Sequence, residues 1–294
     1  MHIGLIVPGF SAHDEDWCIP ALLTLVRALQ PRHRMTVLAL RYPHRREPYH
    51  VSGAMVYPLG GATAAGPARG SLLARGLSTL WRVHRDRPFD LLHAFWADEP
   101  GLLAVVAARL LGIPSVVSLG GGELERRTEL GYGHGLSRAA HLMVSASLRS
   151  ARVVTAGSET LRARVVARLG EARVVRQPLG VDPTLFTPHG PARELAQPAL
   201  LHVASLVPIK GQDRLIRALA LLHDRGHRPH LHIVGEGPLR GQLAEQVGRL
   251  GVDTFVHWHG AVPHHELPPF YRGARLHLLS SHFESQAMVV LEAG

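Results

Sequence analysis

Two runs of short apolar segments, each alternating with stretches of helical period and separated by a proline-rich break, restrict this 294-residue chain more than any other feature. Apolar runs with little polar interruption suit strands buried on both faces, and such strands joined by amphipathic crossovers build parallel sheets. In the first run the strand pattern falls on residues 2–7, 35–40, 51–57, 91–95, 115–119, 152–156 and 172–176. Helical period covers 19–29, 72–84, 101–111, 136–148 and 158–169, the last with Ser158 placed to cap it, and the glycine-rich stretch 60–70 reads as a mobile loop. The second run predicts strands at 200–204, 231–234, 254–257 and 276–279, and helices at 213–222, 239–250, 265–271 and from near Gln286. Between the runs, Gln177-Pro178-Leu179-Gly180-Val181-Asp182-Pro183 and Thr187-Pro188-His189-Gly190-Pro191 are stiff and helix-poor. The expected architecture is α/β, with two Rossmann-like, doubly wound parallel-sheet domains facing a cleft. Residues 1–178 form the first domain, 179–196 the linker and 197–294 the second. The second run is short and stops at Gly294 inside a helical pattern, so an incomplete domain from a truncated reading frame is expected.

No apolar run reaches the ~20 residues of a membrane-spanning helix. The nearest, 102–119, is broken by Arg109, Gly112 and Pro114. No secretory pattern opens the chain and Cys18 is its single cysteine, which points to a reducing, cytoplasmic setting. Residues 1–190 carry a formal charge of +8 and residues 191–294 only +1. The basic half suits an anionic partner such as the inner face of a membrane, touched peripherally, unless its arginines are simply solvated. Aromatic content of 5%, not interleaved with the basic residues, argues against nucleic acid. His257-Trp258-His259 and His264-His265 lack the i, i+4 spacing and third ligand of a zinc site, so they read as surface or loop histidines and no metal is expected.

Among the basic residues one is lysine, Lys210, in Leu206-Val207-Pro208-Ile209-Lys210-Gly211 ahead of a helical stretch. A compact ammonium on a flexible stem suits a phosphate, although one surviving surface lysine is the plainer reading. Gly120-Gly121-Gly122 ends an expected strand, where backbone can approach a ligand closely. Glu284 precedes the last helical stretch and Glu292 follows eight residues on. Singly these are a helix-terminal acid and a solvated helix residue; with Lys210 they describe a cation and hydroxyl acceptors for a sugar joined to a nucleoside diphosphate.

These stretches form a recognisable set: Leu206 to Gly211; Ile233-Val234-Gly235-Glu236-Gly237-Pro238-Leu239-Arg240; His259-Gly260-Ala261-Val262-Pro263; Ser281-His282-Phe283-Glu284; and Leu291-Glu292-Ala293-Gly294. With Gly180-Val181-Asp182, Phe186 and Pro188 they resemble the family 4 retaining glycosyltransferases of the GT-B fold, in this order. The resemblance implies transfer of a hexose from a UDP- or GDP-linked donor to a glycan or lipid-linked acceptor, without metal or other cofactor and with retained configuration. It implies a front-face route in which the leaving phosphate helps deprotonate the acceptor and positive charge stabilises the diphosphate. Lys210 would bind the diphosphate, Glu284 the transferred sugar and Glu292 the ribose. Ser205, Gly235, Gly237, Val262, Ser285, Gln286 and Ala287 complete the implied donor site. On the acceptor side stand Gly9, Asp14, Gly120, Gly121 and Gly122.

The chain departs from the pattern at several points. Ser205 stands where the family has an arginine, Ala287 where it has a glycine, and Gly120 where it has a histidine. His93 is the candidate substitute for that histidine, and the acidic stretch 12–16 replaces a glycine-rich loop. Two other readings remain: a non-catalytic nucleotide-sugar or glycan binder of the same fold, and a nicotinamide-dependent enzyme. The last requires G-x-G-x-x-G after the first strand, which Gly4-Leu5-Ile6-Val7-Pro8-Gly9 does not supply.

Overall fold

The computed structural model describes residues 1–61 and 67–294, so the expected loop over 60–70 lies in part, at 62–66, outside the described residues. The chain divides into two compact units, Met1–Leu179 and Gly180–Gly294.

In the first unit, strands β1 (His2–Gly9), β2 (Arg34–Tyr42), β3 (Tyr49–Val51), β4 (Ala54–Pro58), β5 (Leu91–Phe95), β6 (Ser115–Leu119), β7 (Val153–Ala156) and β8 (Val174–Arg176) form one sheet. Its order is β3-β4-β2-β1-β5-β6-β7-β8. Every pairing is parallel except β3 with β4. The crossovers are α1 (Pro20–Leu29), α2 (Pro67–Asp86), α3 (Glu99–Leu111), α4 (Arg138–Ser150) and α5 (Glu159–Leu169). β1 shows why the apolar runs are nearly continuous. Leu5 and Val7 pack with Leu22, Leu23 and Val26 of α1 on one face, while Ile6 joins Leu72, Leu80 and Leu103 of α2 and α3 on the other. Each such side chain, fully buried, contributes roughly 1.5–3 kcal/mol.

The second unit is a four-stranded parallel sheet of order β11-β10-β9-β12. Its strands are β9 (Ala199–Val203), β10 (His230–Val234), β11 (Val256–Gly260) and β12 (Leu276–His277), with helices α6 (Gln212–Asp224), α7 (Arg240–Arg249), α8 (Pro268–Gly273) and α9 (Met288–Ala293). Both sheets are doubly wound. The chain starts at β1 or β9, builds outward on one side, then returns to pair β5 with β1 and β12 with β9. Such reversals leave a crevice beyond the carboxyl ends of the two neighbouring strands, where open α/β sheets bind ligands.

Several expected elements change. The strand at 51–57 is the hairpin β3–β4, because Ser52 (φ 48°) and Gly53 (φ 79°) make a two-residue turn that a Ser-Gly pair inside an apolar run already signals. The helix expected at 136–148 begins at Arg138, where Ser137 accepts from the Ala140 amide, after a separate 3-10 turn at His134–Leu136. The helix at 265–271 splits into a 3-10 turn and α8 around Pro268, and β12 has only two residues. Ser158 caps α5 as expected, accepting from the Leu161 amide.

His257 and His259 are not loop histidines. They lie on β11 and meet His230 and His232 of β10 in two cross-strand ring–ring hydrogen bonds of 2.9 and 3.0 Å. The pattern alternates along both strands, so the four rings share one sheet face. His264, also expected at the surface, is buried.

Candidate active site

The second unit's reversal lies between β9 and β12, and the loops leaving these strands carry Lys210 and Glu284. The two loops are stitched together. The His282 amide donates to Ile209 O at 2.8 Å and Ser280 Oγ donates to Lys210 O at 2.8 Å. Gly211 has φ 63°, and a Cβ there would stand 2.5 Å from Ser280 O, so only glycine lets the loops close to this distance. Across the junction Lys210 Nζ donates to Glu284 Oε1 at 2.6 Å, and Ser281 Oγ donates to the same oxygen at 2.6 Å. Both charged side chains keep about a quarter of their surface exposed, 27% and 23%, so a ligand can reach them. Beneath them His202 is buried and its Nδ1 faces Leu278 O. Burial lowers its pKa, and the Lys210 charge adds to that.

Glu292 is not the solvated helix residue that its position suggests. Its Oε1 accepts from His264 Nε2 at 2.8 Å and its Oε2 from Tyr271 OH at 2.9 Å, with only 6% of the side chain exposed. Burial first, and then the Glu292 charge and hydrogen bond, push the Tyr271 pKa up. Phe186 stacks edge-on against both His264 and Tyr271. Gly235, expected beside the donor, has φ 136° and sits against Ala204 O, which a Cβ would meet at 2.0 Å. Leu206 N donates to Glu236 O, and Leu239 N to Leu206 O, tying the Gly235–Gly237 loop to the loop of Ser205. Ser205 itself is exposed, with its carbonyl accepting from Gln212 Nε2. Arg214 is bound to the Glu284 loop through His282 Nδ1 at 2.9 Å and brings a guanidinium there. Val262 packs on the core beside Val234. Ser285, Gln286 and Ala287 precede α9, which begins at Met288, two residues later than expected.

In the first unit the acceptor-side residues are held differently from the expectation. Gly120 N and Gly121 N donate to Glu123 Oε1 and Oε2 at 2.7 and 2.6 Å. Glu123 is buried, which raises its pKa against those hydrogen bonds. A Cβ on Gly122 would stand 3.0 Å from the Tyr132 hydroxyl. The acidic stretch is not free either. Asp14 Oδ1 accepts from the backbone amide and hydroxyl of Ser52, and Asp16 Oδ2 accepts from Ala12 N and Tyr42 OH. Gly9 packs between Cys18 and Tyr42. His93 lies mid-strand on β5, with Nε2 2.7 Å from Ser118 Oγ, and burial lowers its pKa to about 4. Among the described residues no cluster of three or more His, Cys, Asp or Glu could hold a metal ion.

Residues 19–180 match the glycosyl transferase 4-like domain, over half of the chain, and residues 190–294 match the glycosyl transferases group 1 model. The chain belongs to the group 1 glycosyltransferases. Its fold is GT-B, as in sucrose-phosphate synthase from Thermosynechococcus elongatus, which it matches with a TM-score of 0.77 at 17% identity over 99% of this chain and 78% of that one. Anabaena HepE in complex with UDP matches at a TM-score of 0.66 and 18% identity, covering all of this chain and 78% of that one. Among curated relatives, this glycosyltransferase is 36% identical to the GDP-mannose-dependent alpha-(1-6)-phosphatidylinositol monomannoside mannosyltransferase of Mycolicibacterium smegmatis, over 40% of the chain and 33% of that protein. It is 28% identical to the D-inositol 3-phosphate glycosyltransferase of Frankia alni over 71% of the chain and 56% of the relative. The chain thus spans about half or less of these relatives' length.

Proposed function

We propose that this glycosyltransferase transfers a hexose from a UDP- or GDP-linked donor to a glycan or lipid-linked acceptor, with retention of configuration and without a metal ion. The observation that carries the reading is the Lys210–Glu284 pair at the reversal between β9 and β12. Lys210 binds the diphosphate and stabilises charge that develops on it as the glycosidic bond breaks. Glu284, released from the ammonium, accepts hydroxyls of the transferred sugar. Glu292, oriented by His264 and Tyr271, faces the ribose. A bound UDP in HepE and the GDP-mannose dependence of the mycobacterial relative support a nucleotide-sugar donor. The protein acts in the cytoplasm, touching an anionic membrane surface peripherally. Trp81 and Leu110, 56% and 64% exposed on α2 and α3, stand beside exposed Arg82, Arg85 and Arg109 and support that contact. Among the described residues no helix is long and apolar enough to cross a membrane.

Calorimetry with UDP-glucose and GDP-mannose, followed by NMR of the product anomer with and without EDTA, tests the donor, the stereochemistry and the metal independence together. An inverted anomer, or turnover abolished by EDTA, overturns the corresponding part. Serine at position 205, which offers the diphosphate no charge, favours a second reading as a nucleotide-sugar binder with little turnover. Tight donor binding with no product would establish it.

A further inference from the structure

The first unit has its own reversal, between β1 and β5, and the loop leaving β5 departs twice from ordinary local geometry. Trp96, the first residue after β5, has φ 69°. A bulky side chain in left-handed backbone is strained, and such strain persists where the surrounding structure enforces it, most often at functional sites. The neighbouring strand enforces it here, since Trp96 N donates to Ser118 O at 2.9 Å. The conformation lays the indole over Gly120, where a Cβ would fall 2.2 Å from Nε1, so Gly120 exists to make room for this ring. The ring stays half-buried, and among the described residues nothing accepts its Nε1 hydrogen.

Asp98, two residues on, breaks a second local rule. It occupies the N-cap of α3, where an aspartate ordinarily accepts from the helix's first amides, yet it makes no side-chain cap hydrogen bond. Its Oδ2 instead accepts from His134 Nε2 at 2.9 Å, while Oδ1 meets no donor among the described residues. His134 comes from the 3-10 turn before α4 and Asp98 from the N-cap of α3, and each keeps 25% of its side chain exposed. The charged groups that face the imidazole are Asp98 and the buried Glu123, both of which favour its protonated form.

An aromatic plate with an unused N–H donor beside a carboxylate with an unused oxygen is the chemistry that recognises a saccharide or cyclic polyol. The apolar C–H face stacks on the ring, and hydroxyls donate to the carboxylate. We propose that Trp96 and Asp98 form the subsite for the hydroxyl-rich acceptor, and that His134 is a positioning residue that holds Asp98 turned away from its own helix. This rests on the transferase reading for the name acceptor, but the saccharide subsite can be tested without any donor.

Saturation-transfer NMR of the full 294-residue chain with methyl α-glucoside, methyl α-mannoside and myo-inositol reads the subsite directly. The wild type is expected to give ring-proton signals with at least one of the three. Trp96→Gly, which suits the left-handed backbone and removes the plate, and Asp98→Asn are each expected to weaken that binding tenfold or more. His134→Ala is expected to weaken saccharide binding several-fold and His134→Gln, which can still donate to Asp98, to restore it, whereas a merely structural histidine would lower stability without that difference in affinity. Circular dichroism separates loss of binding from loss of fold, and Trp96→Phe serves if the glycine variant unfolds. Absence of saccharide binding to the wild type overturns the proposal, as does binding retained within twofold in both a plate variant and Asp98→Asn. Nucleotide-sugar calorimetry on the same samples reports separately on the donor site.

Discussion

Lys210 and Glu284, 74 residues apart in sequence, meet at 2.6 Å and close the reversal of the second sheet with an ion pair. In the proposed site a diphosphate at Lys210 would compete with Glu284 for the ammonium, and donor binding would open the pair. A quarter-exposed pair of this kind is itself worth little stability, about 1 kcal/mol or less. Lys210→Ala is therefore expected to leave the melting temperature nearly unchanged while weakening UDP or GDP binding by tenfold or more. Glu284→Gln separates the two roles: the freed ammonium binds the bare nucleoside diphosphate more tightly, while transfer of the sugar falls at least a hundredfold. Calorimetry with the diphosphate and a turnover assay read the two effects, and weaker diphosphate binding in Glu284→Gln would contradict the competition.

Glu292 is a buried carboxylate with both oxygens occupied, and that makes it a stability determinant of the second unit. Tyr271→Phe removes one hydrogen bond to a charged group and is expected to cost about 1.5–3 kcal/mol. At roughly 2–4 °C per kcal/mol for a chain of this size, scanning calorimetry resolves the loss. Glu292→Ala is expected to cost more, since His264 and Tyr271 both lose their partner, and to weaken nucleotide binding as well. A Tyr271→Phe variant that melts like the wild type would show that the carboxylate is satisfied otherwise.

The alternation of apolar runs was enough to read both sheets, because parallel strands buried on two faces leave an unbroken signature at β1, β2 and β10. Lys210 and Glu284 were readable as loop residues after strands, since strand ends face one edge of a parallel sheet. Their hydrogen bond was not, because it depends on Gly211 permitting the approach to Ser280 O. His257 and His259 of β11 lie in a strand and not a loop for a related reason. Spacing along one segment does not reveal their partners, His230 and His232, which lie 27 residues away on the neighbouring strand. Likewise the three glycines after β6 signal close approach, and the sequence does not say that the approaching groups are Trp96, Tyr132 and Glu123.

Stability should fall on the acid side. Burial is the main cause that lowers the pKa of both His93 and His259 from 6.5 to about 4, with neighbouring His232, Arg193 and His257 adding to it at His259. A histidine whose folded pKa is depressed favours folding fully above its unfolded value. Its contribution is lost as pH falls from 6.5 toward 4, because the unfolded chain takes up the proton first. Melting temperatures across this window should drop, and His93→Gln should flatten part of the drop in the first unit. An unchanged slope in that variant would assign the acid sensitivity elsewhere.

The α2–α3 face offers a direct measurement of membrane contact. Co-sedimentation with phosphatidylglycerol vesicles is expected, with little binding to phosphatidylcholine and loss at high salt. Trp81→Ser with Leu110→Ser should weaken binding several-fold through lost apolar insertion, and Arg82→Gln with Arg85→Gln should remove its salt dependence. Equal binding to neutral vesicles would count against the electrostatic part.

Gly120 and Trp96 should be energetically coupled, because one exists to admit the other. Gly120→Ala drives a Cβ to 2.2 Å from the indole Nε1, and the strained Trp96 backbone leaves the ring little freedom to yield. Overpacking of this kind costs about 1–3 kcal/mol. In a Trp96→Gly background the three atoms that crowd that Cβ most closely are gone and the cost should fall, while Trp96→Gly alone trades lost packing against relieved strain. A double-mutant cycle by urea denaturation measures the coupling, and contacting residues of this type show 0.5–3 kcal/mol, roughly. Additive effects would mean that the indole moves aside freely, and the left-handed Trp96 would then need a cause other than the fit to Gly120.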